Sequence, residues 1–528
     1  MNYCQKKNIL PFFIIILISS FLVIFFGYHQ TDQEFINSLA YRVSLGELPY
    51  KDFDYISPPL SIYLHSLSFI FFPENAILIG RIIYFLQMLL VAIISSMILR
   101  KINYLNKPKF ISFTLISFLL SLHNFPAMPW HTVDGLLFLT VGAYFLIDGI
   151  KKDKIIYLIL AGICCGLAAL TKQNFLLLAP FFLFISIYFR GYKSFYVFLG
   201  QLIPFLSFLI FLIDNQMLSI YLESQSSGST IFAIFKSIAL SLQLTSNYSV
   251  LPSIILFGIL ILIAKNGYIT KKSAIIASIF FFILLHIAEL YFINWNNYQN
   301  PKLIYTLIWI ASIYFFLIKK SRISEFLNFD NVILVLLFLI GLSTMISWGY
   351  PYPLLFVTPY LAILLREFEK SFGEISQKNF LFCIFAIWIL ISNIQYRDSY
   401  KIFSTQNLGK IYPRLNLIHT GDNNFALYQN LKELSEGYDV ETVIPEFPLF
   451  AYLNNSKSDF RIDWFLDNES TLRESEYMKG MEGKYLIVMD NCFDNSGNPK
   501  RTSLCNFIKD NSVLINQVEN MKLYWYKP

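Results

Sequence analysis

Carboxylates gather in one stretch of this chain. Asp32 and Glu34 follow the first long apolar run, and Asp52 and Asp54 lie a little further on, within TDQEFINSLAYRVSLGELPYKDFDYISPPLSIYLHSL. A carboxylate held beside a membrane surface can take a proton from an incoming hydroxyl or amine. Thr31 with Glu34 three residues later also reads as a capping box, and Asp32 suits the positive end of a helix dipole, so capping and catalysis both fit. All four are hard oxygen donors for a divalent cation, although none of their spacings is diagnostic of one. Two cations have the chemistry to meet a phosphate, Arg81 and Lys172. An interfacial lysine can equally snorkel to water. His131 and Asp134 follow Trp130, and His286 and Glu289 lie one turn apart on a later apolar run. Gly-rich phosphate loops and zinc-type Cys/His spacings are absent from the sequence.

These residues need elements to position them. Phe35, Ile36, Leu39, Ala40 and Val43 recur at helical spacing before Gly46, which predicts a first helix lying along the membrane surface. Ser57 as a cap, Pro58 and Pro59 in a first turn, and the stripe Leu60, Tyr63, Leu64, Leu67 and Phe71 predict a second. Around them the chain is built for lipid: 55% of its 528 residues are hydrophobic and 14% are charged, where a soluble domain carries roughly 25% charged residues. Apolar runs predict about thirteen spans, at roughly 9–27, 82–99, 110–122, 132–150, 155–170, 175–189, 195–213, 248–264, 273–289, 303–318, 331–347, 353–365 and 379–395. The first run follows Lys6 and Lys7, is too long for a signal core and lacks a small-x-small cleavage site, so it is expected to be a retained span.

Charge sets the expected orientation. With the N-terminus inside the cell, alternate connections together with Lys6 and Lys7 hold 20 Lys and Arg, among them Arg100, Lys101, Lys151, Lys193 and Arg366, against 6 in the opposite connections up to residue 395. That asymmetry obeys the positive-inside rule and predicts a cytoplasmic N-terminus with an exoplasmic C-terminal domain. The formal charge of +6 therefore reports topology and not a nucleic-acid partner. The aromatic content, 18%, reads as lipid-facing and interfacial packing and gives no cofactor signal.

From about residue 396 the composition turns polar, which divides the chain into a transmembrane domain (1–395) and a small α/β domain (396–528). A helix is predicted from Asn423 to Gly437, buried strands at Val440–Ile444 and Tyr485–Met489, and one or two more strands between Ser512 and Tyr526. Cys492 and Cys505 fall in this exported part, where a disulfide persists; two free thiols are the alternative. No catalytic constellation stands out there, so acceptor binding or structural support are its expected roles.

The order of first span, Asp32 and Glu34, surface helix, Gly46 to Tyr50 with Asp52 or Asp54, Pro58-Pro59-Leu60, second surface helix and Arg81 resembles the GT-C superfamily of integral membrane glycosyltransferases, in particular the protein O-mannosyltransferases and the aminoarabinose transferase of lipid A. Asp134 and the turn at Lys172, in GLAALTKQNFLLLAP, are similar to the family's acidic residue and Thr-Lys turn. In the family the acidic pair is commonly adjacent, whereas Gln33 separates it here. The resemblance implies a mainly α, polytopic GT-C fold and sugar transfer from a polyprenyl-phosphate donor to a lipid, glycan or protein acceptor on the exoplasmic face. It also implies Asp32 as the catalytic carboxylate, with Glu34, Asp52, Asp54, Arg81, Asp134 and Lys172 at the substrates, and no required metal. A transporter or flippase of a lipid-linked sugar is the alternative. Against it, the sequence has no two-fold repeat of interrupted spans, and its polar residues collect at one face.

Overall fold

The computed structural model describes residues 10–122, 127–227, 327–348, 355–372, 401–462, 477–493 and 499–527, with single positions such as Asp398 between them. Four helical stretches among them are long and apolar enough to cross a membrane: Ala76–Lys101, His131–Lys152, Gln173–Asp214 and Phe329–Ile346. Phe13–Phe25 and Ile155–Thr171 are shorter apolar helices in the places of two more expected spans. Apart from single positions, the expected spans at 248–264, 273–289, 303–318 and 379–395 lie outside the described residues, as do His286 and Glu289. Large apolar side chains such as Leu86, Leu90, Phe184 and Ile210 point outward from these helices. Lipid is the solvent that makes such outward faces stable.

Between lipid-exposed helices, close backbone approach does the work that water exclusion does elsewhere. The helices Ile155–Thr171 and Phe195–Asp214 meet at Gly162 and Gly200. A Cβ at Gly162 would lie 2.1 Å from the Val197 carbonyl oxygen, and one at Gly200 2.2 Å from that of Ile159.

The connections divide between two ends of the bundle. At one end the basic loops meet: Lys101 pairs with Asp148, Lys193 with Asp153 at 2.6 Å, Lys109 with Glu369 at 2.5 Å, and Asn103 donates to Asp330 at 3.2 Å. Three of these contacts join connections that the charge pattern assigns to the cytoplasm, and the fourth, Lys101 to Asp148, lies at the same end of the span 132–150. At the other end lie the 28–75 loop, the 127–134 segment, Lys172 and the C-terminal domain.

That loop carries the two expected surface helices, Asp32–Ser44 and Leu60–Phe71. Gly46, at φ +89°, turns the chain out of the first. The second turns Ser61, Ile62, His65 and Phe69 inward and leaves Leu67, Ile70 and Phe71 outermost. Its apolar stripe therefore faces away from the protein interior, the inversion expected where the surroundings are apolar.

The C-terminal domain has a helix at Asp422–Ser435 and a four-stranded sheet in the order Val440–Ile444, Tyr485–Met489, Met521–Tyr526, Ser512–Val518. The first two strands run parallel, and the last two form an antiparallel hairpin. The first two strands are the most buried, and the sheet is covered on its two faces by clusters around Leu431 and Ile487 and around Val488 and Leu504. A disulfide joins Cys492 to Cys505, tying the segment after the second strand to the helix Pro499–Asp510.

Candidate active site

The first surface helix has two working faces. Positions 34 and 41 turn toward the C-terminal domain: Tyr428 donates to Glu34 Oε1 at 2.6 Å, the Leu449 amide to Glu34 Oε2 at 3.3 Å, and Tyr41 Oη to the Ser456 carbonyl at 3.0 Å. Phe35, Ile36, Leu39 and Val43 belong to a different cluster, which includes Tyr50, Phe53, Ile62 and Trp130. Asp32 precedes Phe35 and Ile36 by three and four residues, so it shares their face. Two residues apart on a helix is about 200° of rotation, so the residue separating Asp32 from Glu34 sends the two carboxylates in opposite directions.

Glu34 is fully buried, and this burial pushes its carboxyl up to about 8, against the pull of the hydrogen bonds it accepts. The capping box expected with Thr31 does not form. Thr31 makes no side-chain cap, its hydroxyl lies 2.8 Å from His29 Nδ1, and both Glu34 oxygens are engaged by the C-terminal domain.

Three further candidates are also committed elsewhere. Arg81, wholly buried, donates to the carbonyls of Ile24 at 2.7 Å and Gly27 at 2.5 Å, and its guanidinium lies over the Tyr28 ring. It thus closes the end of the first apolar helix, whose last carbonyls have no partner within the helix. Asp54 forms an ion pair with Arg461 at 2.9 Å. Asp52 accepts from the Leu48 amide at 2.7 Å inside its own turn. Of the six acids in the 28–81 loop, Glu47 binds Arg42 at 2.6 Å and Glu74 meets Arg414 at 3.2 Å. Asp32 alone makes no hydrogen bond or ion pair among the described residues, and it is only partly buried.

Below this helix a second polar group is assembled from three elements. Asp134, in the first turn of His131–Lys152, accepts from Gln87 at 2.7 Å through Oδ1 and lies 3.0 Å from His65 Nε2 through Oδ2. His131 stacks on Trp130 with ring centroids 4.7 Å apart, and it lies within electrostatic reach of Lys172 and His65. Lys172 stands at the C-terminal end of Ile155–Thr171, where Gly135 lets the turn approach: a Cβ there would lie 2.1 Å from the Phe175 ring and 2.7 Å from the Thr171 hydroxyl. Trp130 bridges the two groups, touching the Phe35–Ile36 cluster on one side and His131 on the other.

Several buried atoms in this group have no partner among the described residues: Nδ1 of His65, Oε1 of Gln87 and both ring nitrogens of His131. Leaving such an atom open costs about 1–3 kcal/mol, and a concentration of them suits a polar ligand. No three His, Cys, Asp or Glu side chains among the described residues converge as a metal would require, since Glu34, Asp52 and Asp54 are drawn apart from Asp32. His65 and Gln87 escaped the sequence reading. The available signal was Ser61, His65 and Ser68 at helical spacing on an otherwise apolar helix.

No protein-family model and no curated protein sequence matches the chain significantly. Among solved structures, it is similar to ArnT from Cupriavidus metallidurans bound to undecaprenyl phosphate, at 10% identity over 98% of each chain with a TM-score of 0.46. The apo state of the same ArnT gives 10% identity, 98% coverage of each chain and a TM-score of 0.45. The archaeal oligosaccharyltransferase AglB from Archaeoglobus fulgidus, in complex with an inhibitory peptide and a dolichol-phosphate, gives 11% identity over 93% of this chain and 70% of its own, with a TM-score of 0.43. At these values the chemistry has to be read from the residues.

Proposed function

We propose that the chain is an integral membrane glycosyltransferase that moves a hexosyl or pentosyl group from a polyprenyl-phosphate donor to a lipid, glycan or protein acceptor on the exoplasmic face. The observation that carries this reading is the isolation of Asp32. It is the one acid of its loop without a partner among the described residues, and it stands on the helix face turned toward the Trp130–His131 group. A carboxylate left unpaired in this way is free to accept a proton.

In this reading the acceptor hydroxyl or amine attacks the anomeric carbon and gives its proton to Asp32. The bond from that carbon to the phosphate oxygen breaks, and the electron pair leaves with the polyprenyl phosphate. A phosphate is already a good leaving anion and needs no general acid, but it does need a cation as charge builds on it. Lys172 fills that role. Asp134 is better suited to fixing His65 than to meeting substrate, because both its oxygens are taken. Arg81, Glu34 and Asp54 serve the scaffold.

The test is a deletion strain carrying either the parental gene or Asp32→Asn, with lipid-linked sugars followed by mass spectrometry. The deletion should accumulate a polyprenyl-phosphate sugar that the parental gene clears. Asp32→Asn should clear it about 10²–10⁴-fold more slowly, the usual worth of general-base catalysis, while reaching normal levels in the membrane. Clearance by Asp32→Asn at the parental rate would remove Asp32 from the chemistry. No lipid-linked sugar in the deletion would remove the reading as a whole.

A further inference from the structure

At the basic end, remote from the proposed active site, a cleft of about 200 Å³ opens between the 102–109 connection and the helix Thr358–Phe372. Its floor is apolar, formed by Phe113, Ile116, Ala362 and Leu365, and its mouth is polar, lined by Asn103, Asn106, Lys109, Arg366 and Glu369. The local sequence explains the division. Thr358–Phe372 is apolar through Leu365 and charged from Arg366 onward, so the boundary between lipid and water crosses the cleft at that residue.

The mouth carries excess positive charge. Glu369 is matched by Lys109 at 2.5 Å, whereas the Arg366 guanidinium lies flat over the Tyr104 ring, 4.6 Å from its centroid, with no acid partner among the described residues. Tyr104 is itself held by its hydroxyl's hydrogen bond to Asn331 at 2.9 Å. Stacking fixes the plane of the guanidinium and leaves its N–H edge for an oxyanion. Arg100, over the Phe110 ring, and the exposed Lys107 add charge nearby, while Asp330 is occupied by Asn103. Ile111, on the adjoining turn, is exposed and continues the apolar surface outward.

We propose that this cleft binds the headgroup of an anionic phospholipid from the adjacent leaflet, with the phosphate on Arg366 and the start of an acyl chain over Phe113 and Leu365. A basic recess between helices at the membrane boundary suits such a lipid, and the apolar floor favours it over a free phosphate, which would leave that surface unused. The site is independent of the glycosyl-transfer reading.

The test uses the full chain purified in a neutral detergent, with lipid retention followed by native mass spectrometry and thermal midpoint. Phosphatidylglycerol should bind saturably and phosphatidylcholine much more weakly, and Arg366→Gln should weaken phosphatidylglycerol about tenfold, as loss of one charge-assisted contact does. Glu369→Gln releases Lys109 and should strengthen binding, which keeps the test decisive if Arg366→Gln fails to fold. The proposal is overturned if neither variant changes phosphatidylglycerol binding, or if phosphatidylcholine binds equally well. It is also overturned if glycerol phosphate stabilises the chain as strongly as the lipid, because the occupant would then be a soluble phosphate.

Discussion

Asp32 and Glu34 differ by two positions and by nearly everything else. One is left open toward the membrane domain. The other is buried against Tyr428 and the Leu449 amide. Burial raises the Glu34 carboxyl from its ordinary 4.5 to about 8, so the folded state favours the protonated acid. A group whose folded value is raised contributes stability that is complete below its unfolded value and is lost as pH climbs through the folded one. Docking of the C-terminal domain should therefore be firm at pH 5 and weaken from there through about pH 8, where Glu34 ionises. Glu34→Gln, a permanent mimic of the neutral acid, should flatten that dependence while keeping the Tyr428 contact. Limited proteolysis and thermal midpoints between pH 5 and 9 read this directly. Parallel profiles for the parent and Glu34→Gln would show that some other group sets the dependence.

At the scale of elements, the polar group around Asp134 depends on how closely the turn at Thr171–Lys172 approaches the start of His131–Lys152. Gly135 permits that approach, since a Cβ there would overlap the buried ring of Phe175. Gly135→Ala removes no polar atom, yet it should cost about 1–3 kcal/mol through overpacking. It should also slow transfer by moving Lys172 away from His131. Thermal midpoint and sugar clearance measured together test this. Parental values for both would mean that the two helices can part without consequence.

At the scale of the whole molecule, polar contacts join the first loop to the last domain. Arg461 binds Asp54 and donates to the carbonyl of Lys51 at 2.9 Å, and Arg42 reaches the Phe460 carbonyl at 2.7 Å. Because Arg461 and Asp54 are partly exposed, Arg461→Ala should cost only roughly 1–2 kcal/mol. It should nonetheless expose the 47–56 segment to protease and lower transfer. An unchanged cleavage pattern would show that the clamp lies elsewhere. Sidedness is tested at the same scale by reporter fusions after residues 150 and 395, expected to be cytoplasmic and exoplasmic respectively. A cytoplasmic signal after 395 would invert the proposed location of the active site.

Much of this could be read from residue order alone. Among the described residues, hydropathy located apolar helices such as Ala76–Lys101, His131–Lys152 and Phe329–Ile346, because lipid demands uninterrupted apolar length. Basic residues sorted the loops into two sets, and the contacts of Lys101, Lys109 and Lys193 gather the described members of one set at one end. Short apolar runs marked the buried strands Val440–Ile444 and Tyr485–Met489, since a sheet covered on both faces needs them. The partners of the polar side chains depended on tertiary structure. Arg81 meets carbonyls 54 and 57 residues away, Asp54 meets Arg461, and Glu34 meets Tyr428. His65 and Gln87 converge on Asp134 from two separate helices. Periodicity fixes which face of a helix a residue occupies, but the neighbour that fills that face is chosen by the packing of segments hundreds of residues apart. For that reason, the partners of these acids could be told apart only in three dimensions.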